Sequence, residues 1–410
     1  MLRGTGAATG FLVSLLLWWY VGEEGAGLFF LALACRNIAT AIGKGGFERV
    51  LVRAIAAHAA TDDIPGVHGA RGFAINRAMR RSLLVAAVLA GLAWPLAHLV
   101  FDKPMTGLLM LMALTVLPAT MVNLGCAALR GLKHIGISQF IDSVSGPLIA
   151  CLLLPIFATL FGVEGAVVGR GLALVCAASL ALVVWQRVAP PLQGRAPTCN
   201  PTELTQASQP LLQTDLMNLL MTSLPMLLLG VYWQDASEAG IYGIALRTAM
   251  LIAFIQMGLN AILGPKFAAM WELQQLDELR DLARKACWMA FLAALPFAAL
   301  FCLAPSSVLS MFSDKATAGA LALTLLTISQ LINVASGPVG SLLVMSGHQR
   351  LVRNATLFTV LLQLGLCFWL IPQYGAIGAA VTTAVGVTTK NLINVVMVRK
   401  HLGVRLLALG

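Results

Sequence analysis

Four cationic side chains lie inside long apolar segments of this 410-residue chain: Arg36, Arg170, Arg247 and Lys390. An ionisable group at membrane depth costs roughly 2.5–3.5 kcal/mol on insertion scales, so it normally faces protein or water rather than lipid. Several cations around one interior cavity would attract an anion, and arginine adds two parallel donors that fit phosphate oxygens. The four residues are therefore predicted to bind an anionic substrate such as a phosphate or diphosphate.

Each of these cations also has a structural interpretation. A long side chain near the end of a span can extend along its own stem to the headgroups, and Lys390 is close enough to the end of its segment to do so. Arg36 and Arg247 lie further from either end, which favours an interior position. They occupy equivalent helices of two similar halves, as do Arg170 and Lys390 at less closely matched depths.

Two acidic residues, Asp142 and Asp215, lie about one and two turns into apolar segments. Either carboxylate could carry a coupling ion, and either could instead cap a helix or sit at the membrane interface. The eight Cys include no CxxC pair, the six His are scattered, and Walker A, HExxH and GxSxG motifs are missing. We therefore predict no metal, no cofactor and no enzymatic activity.

The elements that hold these residues must be membrane-spanning helices. The chain is 59% hydrophobic and only 11% charged, whereas soluble domains average about 25% charged residues. Apolar runs of about 20 residues recur throughout, which is enough to cross a bilayer. The predicted fold is an all-α integral membrane protein with about twelve spans, at 5–21, 27–43, 82–101, 105–129, 138–161, 165–187, 208–233, 239–262, 286–311, 317–345, 353–372 and 377–397.

The distribution of charge predicts the orientation of these spans. With both termini in the cytoplasm, most of the 27 Lys and Arg fall in cytoplasmic segments, while the opposite loops are short and mainly acidic. This is the bias that the positive-inside rule describes. The net charge of +10 is thus explained by topology and an anionic inner leaflet, and nucleic acid is not an expected partner.

A weak internal repeat divides the chain into two halves. Residues 19–33 align with 232–246 and residues 161–168 align with 374–381, both at an offset of 213 positions. Two alignments at one offset indicate two similar lobes, an arrangement found in transporters with a central cavity. The predicted domains are a six-helix lobe at 1–188, a proline-rich cytoplasmic linker at 189–206 and a second six-helix lobe at 207–410.

Each half carries one long connection after its second span, at 44–81 and at 264–285. In the second connection apolar residues recur every three positions between charged ones, which predicts an amphipathic helix on the membrane surface. Such a helix could be a simple elbow or part of a gate. Its apolar positions are Phe267, Met270, Leu273, Leu276, Leu279 and Leu282.

Four short motifs resemble those of Wzx-type polysaccharide lipid-carrier flippases. The stretch 22–32 resembles the entry to their second span, and 238–245 followed by 260–265 resembles their eighth. The segments 128–133 and 374–380 are similar to two further signatures of the family. The resemblance covers nearly the whole chain. It depends on the order and spacing of the four motifs more than on any single motif.

The resemblance implies a member of the multidrug/oligosaccharidyl-lipid/polysaccharide (MOP) exporter superfamily in a bacterial inner membrane, with two six-helix, MATE-like lobes around a cationic cavity. Such a protein moves an undecaprenyl-diphosphate-linked oligosaccharide, for example an O-antigen unit of lipopolysaccharide, from the cytoplasmic to the periplasmic leaflet by alternating access, with or without ion coupling. The related lipid II flippases carry cavity arginines on spans two and eight, which Arg36 and Arg247 match by helix. The implied partners are the lipid-linked substrate, membrane lipids and polysaccharide polymerase or assembly proteins, with a monomer as the transport unit.

Two other functions compete with this interpretation. A MATE-like multidrug cation antiporter of the same superfamily would need carboxylates at membrane depth to bind cationic drugs, and this chain offers cations there. A membrane-embedded glycosyltransferase would need a sizeable loop with catalytic residues, and the predicted periplasmic loops contain only a few residues.

Overall fold

The computed structural model describes residues 2–192, 196–273 and 275–403, which are almost entirely helical. The α-helices are α1 (Leu2–Lys44), α2 (Phe47–Ala60), α3 (Ile64–Gly91), α4 (Ala93–Pro95), α5 (Thr106–Leu114), α6 (Val116–Gly131), α7 (Ile135–Phe140), α8 (Gly146–Val188), α9 (Pro201–Tyr232), α10 (Ser237–Glu272), α11 (Leu276–Leu303), α12 (Pro305–Leu309), α13 (Ala320–Ala335), α14 (Val339–Met345) and α15 (Gln349–Leu402). Two π-helical segments, Leu96–Val100 and Ile141–Ser145, and one 3-10 helix, Lys315–Gly319, complete the described elements. The predicted all-α fold class is confirmed.

The described helices make this a multi-pass membrane protein. Eight are long and apolar enough to cross a bilayer, or nine if Ile64–Gly91 and Ala93–Val100, which meet at a 49° bend, form one span. Three of them, α1, α8 and α15, contain 43, 43 and 54 residues, about twice the 20 that a bilayer requires. Each of these three helices is interrupted by non-helical backbone. If each counts as two spans, the nine candidates become twelve, which is compatible with the predicted number. The exact number stays a prediction.

Two of these long helices are hairpins. A Cβ atom placed on Gly169 of α8 would lie 3.1 Å from the backbone of Leu153, which is 16 positions earlier. In one straight helix that separation would be about 24 Å. In α15, a Cβ on Gly386 would lie 3.0 Å from the side chain of Gln363. The chain therefore reverses direction within each helix and brings the two arms into close contact.

The two reversals share one backbone conformation. Gly162 has φ 59° and ψ −135°, and Gly375, at the repeat offset, has φ 50° and ψ −127°. Positive φ with strongly negative ψ is accessible mainly to glycine, since a Cβ would clash with the adjoining peptide groups. The repeat seen in the sequence thus corresponds to a repeated structural turn.

Equivalent positions also make equivalent contacts around these turns. In the first half, a Cβ on Gly25 would lie 2.8 Å from the side chain of Val163. In the second half, the corresponding pair is Glu238 and Ala376, and the Glu238 carboxylate accepts a hydrogen bond of 2.7 Å from the Ala376 amide. The same pair of positions therefore joins the same two helices in both halves, with glycine packing in one and a charged hydrogen bond in the other.

The long connection of the second half differs from the prediction. The stretch 264–285 does not form a separate amphipathic helix, because α10 continues to Glu272 and α11 begins at Leu276. Phe267 and Leu279 are buried in one apolar cluster with residues of α14 and the end of α15. The apolar face of this stretch is thus used for packing within the protein. The predicted surface helix was wrong, although the side chain of Leu276 lies outside the described residues.

The connection of the first half does contain a separate helix, α2. Its apolar side, formed by Phe47, Val50, Leu51 and Ile55, is buried. The spacing of these positions places them on one face of a helix. Most of them belong to a cluster with α3, α6 and α8, so α2 is fixed to the rest of the first half.

The chain forms two compact units, Met1–Leu219 and Leu220–Gly410, called unit 1 and unit 2 below. The division falls inside α9, and the predicted boundaries at 188 and 207 stay a prediction. Residues 193–195 of the predicted linker lie outside the described residues. On either side of them the chain is held to α3: His68 Nε2 lies 2.8 Å from the Pro190 carbonyl oxygen, and the Thr198 amide donates to the Pro65 carbonyl at 3.1 Å.

Candidate functional site

Arg36 lies on α1 after the interruption at Gly22 and is only 8% exposed. Its Nη2 donates a hydrogen bond of 2.8 Å to Oδ1 of Asn37, the next residue in the chain. Its Nε and Nη1 are buried, and within the described part of the chain they have no hydrogen-bond partner. A buried cation with open donors is a group that an anion would satisfy.

Arg170 lies on the second arm of α8, and α8 packs against α1. Its positive charge acts on that of Arg36, and the two repel each other. Gly169 and Gly171 flank it: a Cβ on Gly171 would lie 3.1 Å from the Thr115 side chain. The two glycines let neighbouring helices approach closely on either side of the arginine.

Arg36 and Arg170, called the arginine pair below, have positive charges that no nearby negative charge balances among the described residues of unit 1. Among the described residues, no carboxylate lies within 4.0 Å of the side-chain nitrogens of Arg36 or Arg170. The Nε of Arg170 is also buried without a hydrogen-bond partner in this part of the chain. Two like charges taken out of water raise the free energy of the folded protein unless an opposite charge joins them. The structure thus brings together two of the four predicted cations in a site suited to an anion.

The other two predicted cations belong to unit 2. Arg247 lies on α10 and Lys390 on the second arm of α15, and both are partly buried. These two helices pack against each other. A role for Arg247 and Lys390 in the same site as Arg36 and Arg170 stays a prediction.

The cations do not follow the internal repeat. At the offset of 213 positions, the residues equivalent to Arg36, Arg170, Arg247 and Lys390 are Ala249, Thr383, Ala34 and Ala177. Thr383 instead shares a hydrogen bond with Tyr242, and the two hydroxyl oxygens are 2.8 Å apart. The two halves therefore share a backbone plan but carry different chemistry in their interiors.

Asp142 and Asp215, the two candidates for ion coupling, lie in one network of ion pairs in unit 1. We call it the charge network; its members are Lys44, Glu48, Arg49, Arg130, Asp142 and Asp215. Asp215 on α9 lies 2.9 Å from Arg49 and 4.0 Å from Lys44. Asp142, in the second π-helical segment, lies 3.8 Å from Arg130. Each carboxylate thus has a cationic neighbour, and ion coupling by either stays a prediction.

Glu48 is the centre of the charge network. Its carboxylate lies 2.7 Å from Lys44 Nζ and 3.0 Å from Arg130 Nη2. These contacts join the end of α1, the start of α2 and the end of α6. Sequence analysis did not single out Glu48, because Lys44 and Glu48 lie on different helices, on either side of Gly45 and Gly46, and Arg130 is distant in the sequence.

The pH dependence of stability tests the role of Glu48. Burial raises the pKa of Glu48, but Lys44, Arg130 and Arg49 together lower it further, so that it lies below the ordinary value of 4.5. A lowered pKa stabilises the folded state at pH values above 4.5, and this contribution disappears as the pH falls through the folded-state pKa. We expect Glu48→Gln to reduce the free energy of unfolding at pH 7 by about 1–2 kcal/mol.

Thermal unfolding in detergent between pH 3.5 and 7 measures this effect. The difference between wild type and Glu48→Gln should shrink towards the acid end. The exposed Glu203 provides a control, because Glu203→Gln should leave the unfolding temperature nearly unchanged. A Glu48→Gln deficit of constant size across the whole pH range would contradict the ionic explanation.

Comparison with known proteins places this fold and site in context. A protein family described as "Polysaccharide biosynthesis protein" matches residues 23–317. Among solved structures, the chain is similar to a multidrug resistance MATE family transporter of the MOP superfamily in its inward-facing conformation. The TM-score is 0.78 at 19% sequence identity, over 97% of this chain and 94% of that one. Among curated protein sequences none matches significantly.

Two further solved structures share the fold. The lipid II flippase MurJ in an inward closed conformation matches with a TM-score of 0.76 at 11% identity, over 96% of this chain and 86% of that one. A MOP superfamily transporter from Pyrococcus furiosus, described as having a binding pocket of reverse polarity, matches with a TM-score of 0.67 at 18% identity, over 98% and 94%. At these identities the likeness establishes the fold, which this chain shares with these proteins.

Proposed function

Since the chain belongs to the polysaccharide biosynthesis protein family and has the fold of MOP-type transporters, we propose that it is a flippase for a lipid-linked oligosaccharide. The substrate is an oligosaccharide joined to undecaprenyl diphosphate, such as an O-antigen or other polysaccharide repeat unit. The observation that carries this proposal is the pair of buried Arg36 and half-buried Arg170, which offers unpaired donors and positive charge to a diphosphate. Arg247 and Lys390 are proposed to contribute further positive charge to substrate binding.

The proposed transport cycle is alternating access in a bacterial inner membrane, with both termini in the cytoplasm. The diphosphate would enter from the cytoplasmic leaflet, bind the arginine pair, and leave to the periplasmic leaflet. Asp142 and Asp215 are the candidates for coupling this cycle to an ion gradient. Polysaccharide polymerase or assembly proteins are the proposed partners, and one chain is the proposed transport unit.

A second function, export of cationic drugs, is favoured by one observation. The structure with a TM-score of 0.78 is that of a multidrug resistance MATE family transporter. Binding a cation in a membrane interior requires a negative charge or a polarisable surface near it. The arginine pair of unit 1 has a positive charge, which would repel a cationic drug, so this alternative is supported by the fold and opposed by the site.

Reconstitution into proteoliposomes tests the proposed function. Fluorescent undecaprenyl diphosphate carrying an oligosaccharide is placed in both leaflets, and a quencher reports how fast the lipid changes leaflet. We expect wild-type protein to accelerate this movement well above that of protein-free vesicles. If the wild-type protein leaves the lipid in place but transports a cationic dye, the multidrug alternative replaces the flippase proposal.

A further inference from the structure

Unit 2 contains a group of amide side chains that unit 1 lacks. They lie on α13 and on both arms of α15, and we call them the amide cluster: Gln330, Asn333, Gln363, Asn391 and Asn394. The residues at the repeat offset in unit 1 are Leu117, Thr120, Ala150, Ala178 and Ala181. Gln330, Asn333 and Gln363 lie between the two repeated segments that define the offset, and Asn391 and Asn394 follow the second, which contains the turn at Gly375. The amides are therefore a specific difference between two otherwise similar halves.

Three members of the amide cluster form a chain of hydrogen bonds. Asn391 Nδ2 donates to Asn333 Oδ1 at 3.0 Å, which joins α15 to α13, and Asn333 Nδ2 donates to Gln330 Oε1 at 3.1 Å within α13. Asn333 and Asn391 are partly exposed, whereas Gln330 is buried. The accessible end of this chain is therefore formed by the two asparagines.

The other two members have unsatisfied atoms. Gln363 is 1% exposed, and within the described residues neither its Nε2 nor its Oε1 has a hydrogen-bond partner. Asn394 is 2% exposed, and its Oδ1 is likewise without one in that part of the chain. Gln363 lies against Gly386, where the absence of a side chain leaves room for the amide. Gly386 precedes Asn391 by five residues, or about 7.5 Å along the helix.

Unsatisfied buried amides carry a free-energy cost that packing alone does not explain. A buried polar group without a partner loses its hydrogen bonds to water and gains none in return, and the first half has alanine at the positions equivalent to Gln363 and Asn394. An amide is neutral and both donates and accepts, so it complements a hydroxyl group rather than an anion or a cation. The amide cluster therefore has the chemistry of a site for a neutral, polyhydroxylated ligand.

We infer that the amide cluster binds the sugar portion of the lipid-linked substrate. This inference rests on the proposed function and assigns its glycan to unit 2. Asn333 and Asn391 meet the hydroxyl groups first, because they are the accessible members. Gln363 contributes the two buried amide atoms that have no partner among the described residues.

The test compares two lipids that differ only in the glycan. One is the lipid-linked oligosaccharide extracted from the host membrane, and the other is undecaprenyl diphosphate alone. Binding to wild-type protein and to Asn391→Leu and Gln363→Leu is measured in proteoliposomes. We expect each variant to bind the oligosaccharide lipid at least about 10-fold more weakly, as for the loss of one or more hydrogen bonds. Binding of undecaprenyl diphosphate should change by less than about 2-fold.

Thermal stability separates a binding role from a structural one. Because Gln363→Leu removes two unsatisfied buried atoms, its unfolding temperature should rise, by about 2–4 °C, while oligosaccharide binding falls. A purely structural amide would lose stability and binding of both lipids together. Asn123→Ala is the matched control, since Asn123 in unit 1 already donates to the Ala119 carbonyl at 2.8 Å. It should not alter the preference between the two lipids.

The outcomes distinguish the inference from the function on which it rests. In one outcome, the wild type binds both lipids while neither amide variant loses binding of the oligosaccharide lipid selectively. The amide cluster then does not bind the glycan, and the flippase proposal stands. If wild type binds neither lipid, the proposed function fails and the inference fails with it. Selective loss of oligosaccharide binding with a raised unfolding temperature for Gln363→Leu supports the inference.

Discussion

Replacing Arg36 and Arg170 together is expected to slow movement of the lipid-linked diphosphate by roughly 10²- to 10⁴-fold. A hydrogen bond to a charged group contributes about 1.5–3 kcal/mol, and the double variant removes at least two such bonds to the phosphate oxygens. Arg36→Met/Arg170→Met is the variant of choice, because methionine keeps much of the side-chain volume and introduces no polar atom. The quencher assay in proteoliposomes measures the rate.

The stability of the same variant provides the control. Because Arg36 is buried, Arg170 is half-buried, and the two repel each other and lack partners for some of their donors, removal of both should leave the unfolding temperature equal to or above that of wild type. Arg36→Lys should retain part of the activity, since it keeps the charge but loses the planar fork of donors. The exposed Arg53→Met should move the lipid at the wild-type rate. A folded double methionine variant with wild-type transport would refute the assignment of the arginine pair as the diphosphate site.

Gly375→Ala is expected to destabilise the protein strongly, by about 1–3 kcal/mol more than Gly162→Ala. Both substitutions force a side chain into a backbone conformation that costs about 1–3 kcal/mol. At Gly375 the new Cβ would also overlap the Glu238 carboxylate and lie 3.1 Å from the Trp233 ring. It would thereby disturb the Glu238–Ala376 hydrogen bond.

Gly162→Ala is the matched comparison, because none of the described residues beyond its own neighbours places an atom within 4 Å of the Cβ position there. Its cost is backbone strain alone. Thermal unfolding of both purified variants in detergent gives the difference, and gel filtration confirms that each is folded before heating. Equal destabilisation by the two substitutions would mean that the contacts of Gly375 with Glu238 and Trp233 contribute little.

The fold was largely predictable because its main signals are local. Apolar runs of bilayer length gave the helices, and the alignment of 161–168 with 374–381 fell on the two turns that share one backbone conformation. The surface helix at 264–285 was predicted wrongly because the surroundings of a helix are not a local property of the sequence. Whether Phe267 and Leu279 face lipid headgroups or other helices depends on tertiary packing, and a periodic pattern is the same in both cases.

The candidate site was predictable only in part. A lone cation in an apolar run is visible in the sequence, so Arg36 and Arg170 could be singled out. That these two approach each other, and that unpaired donors remain on both, depends on the packing of α1 against α8. Glu48 was missed because an acidic residue outside a span attracts no notice until Arg130, 82 positions away, is seen beside it.

The reversal at Gly162 also bears on how the chain enters the membrane during synthesis. The turn leaves no polar loop between the arms of α8, so both arms must be inserted as one unit. The second arm carries Arg170, whose insertion alone costs about 2.5–3.5 kcal/mol. The first arm, from Gly146 to Phe161, carries nine Leu, Ile and Phe residues, and at about 0.3–0.6 kcal/mol each they offset that cost. Biosynthesis thus delivers the arginine to the membrane interior with the help of the arm that precedes it.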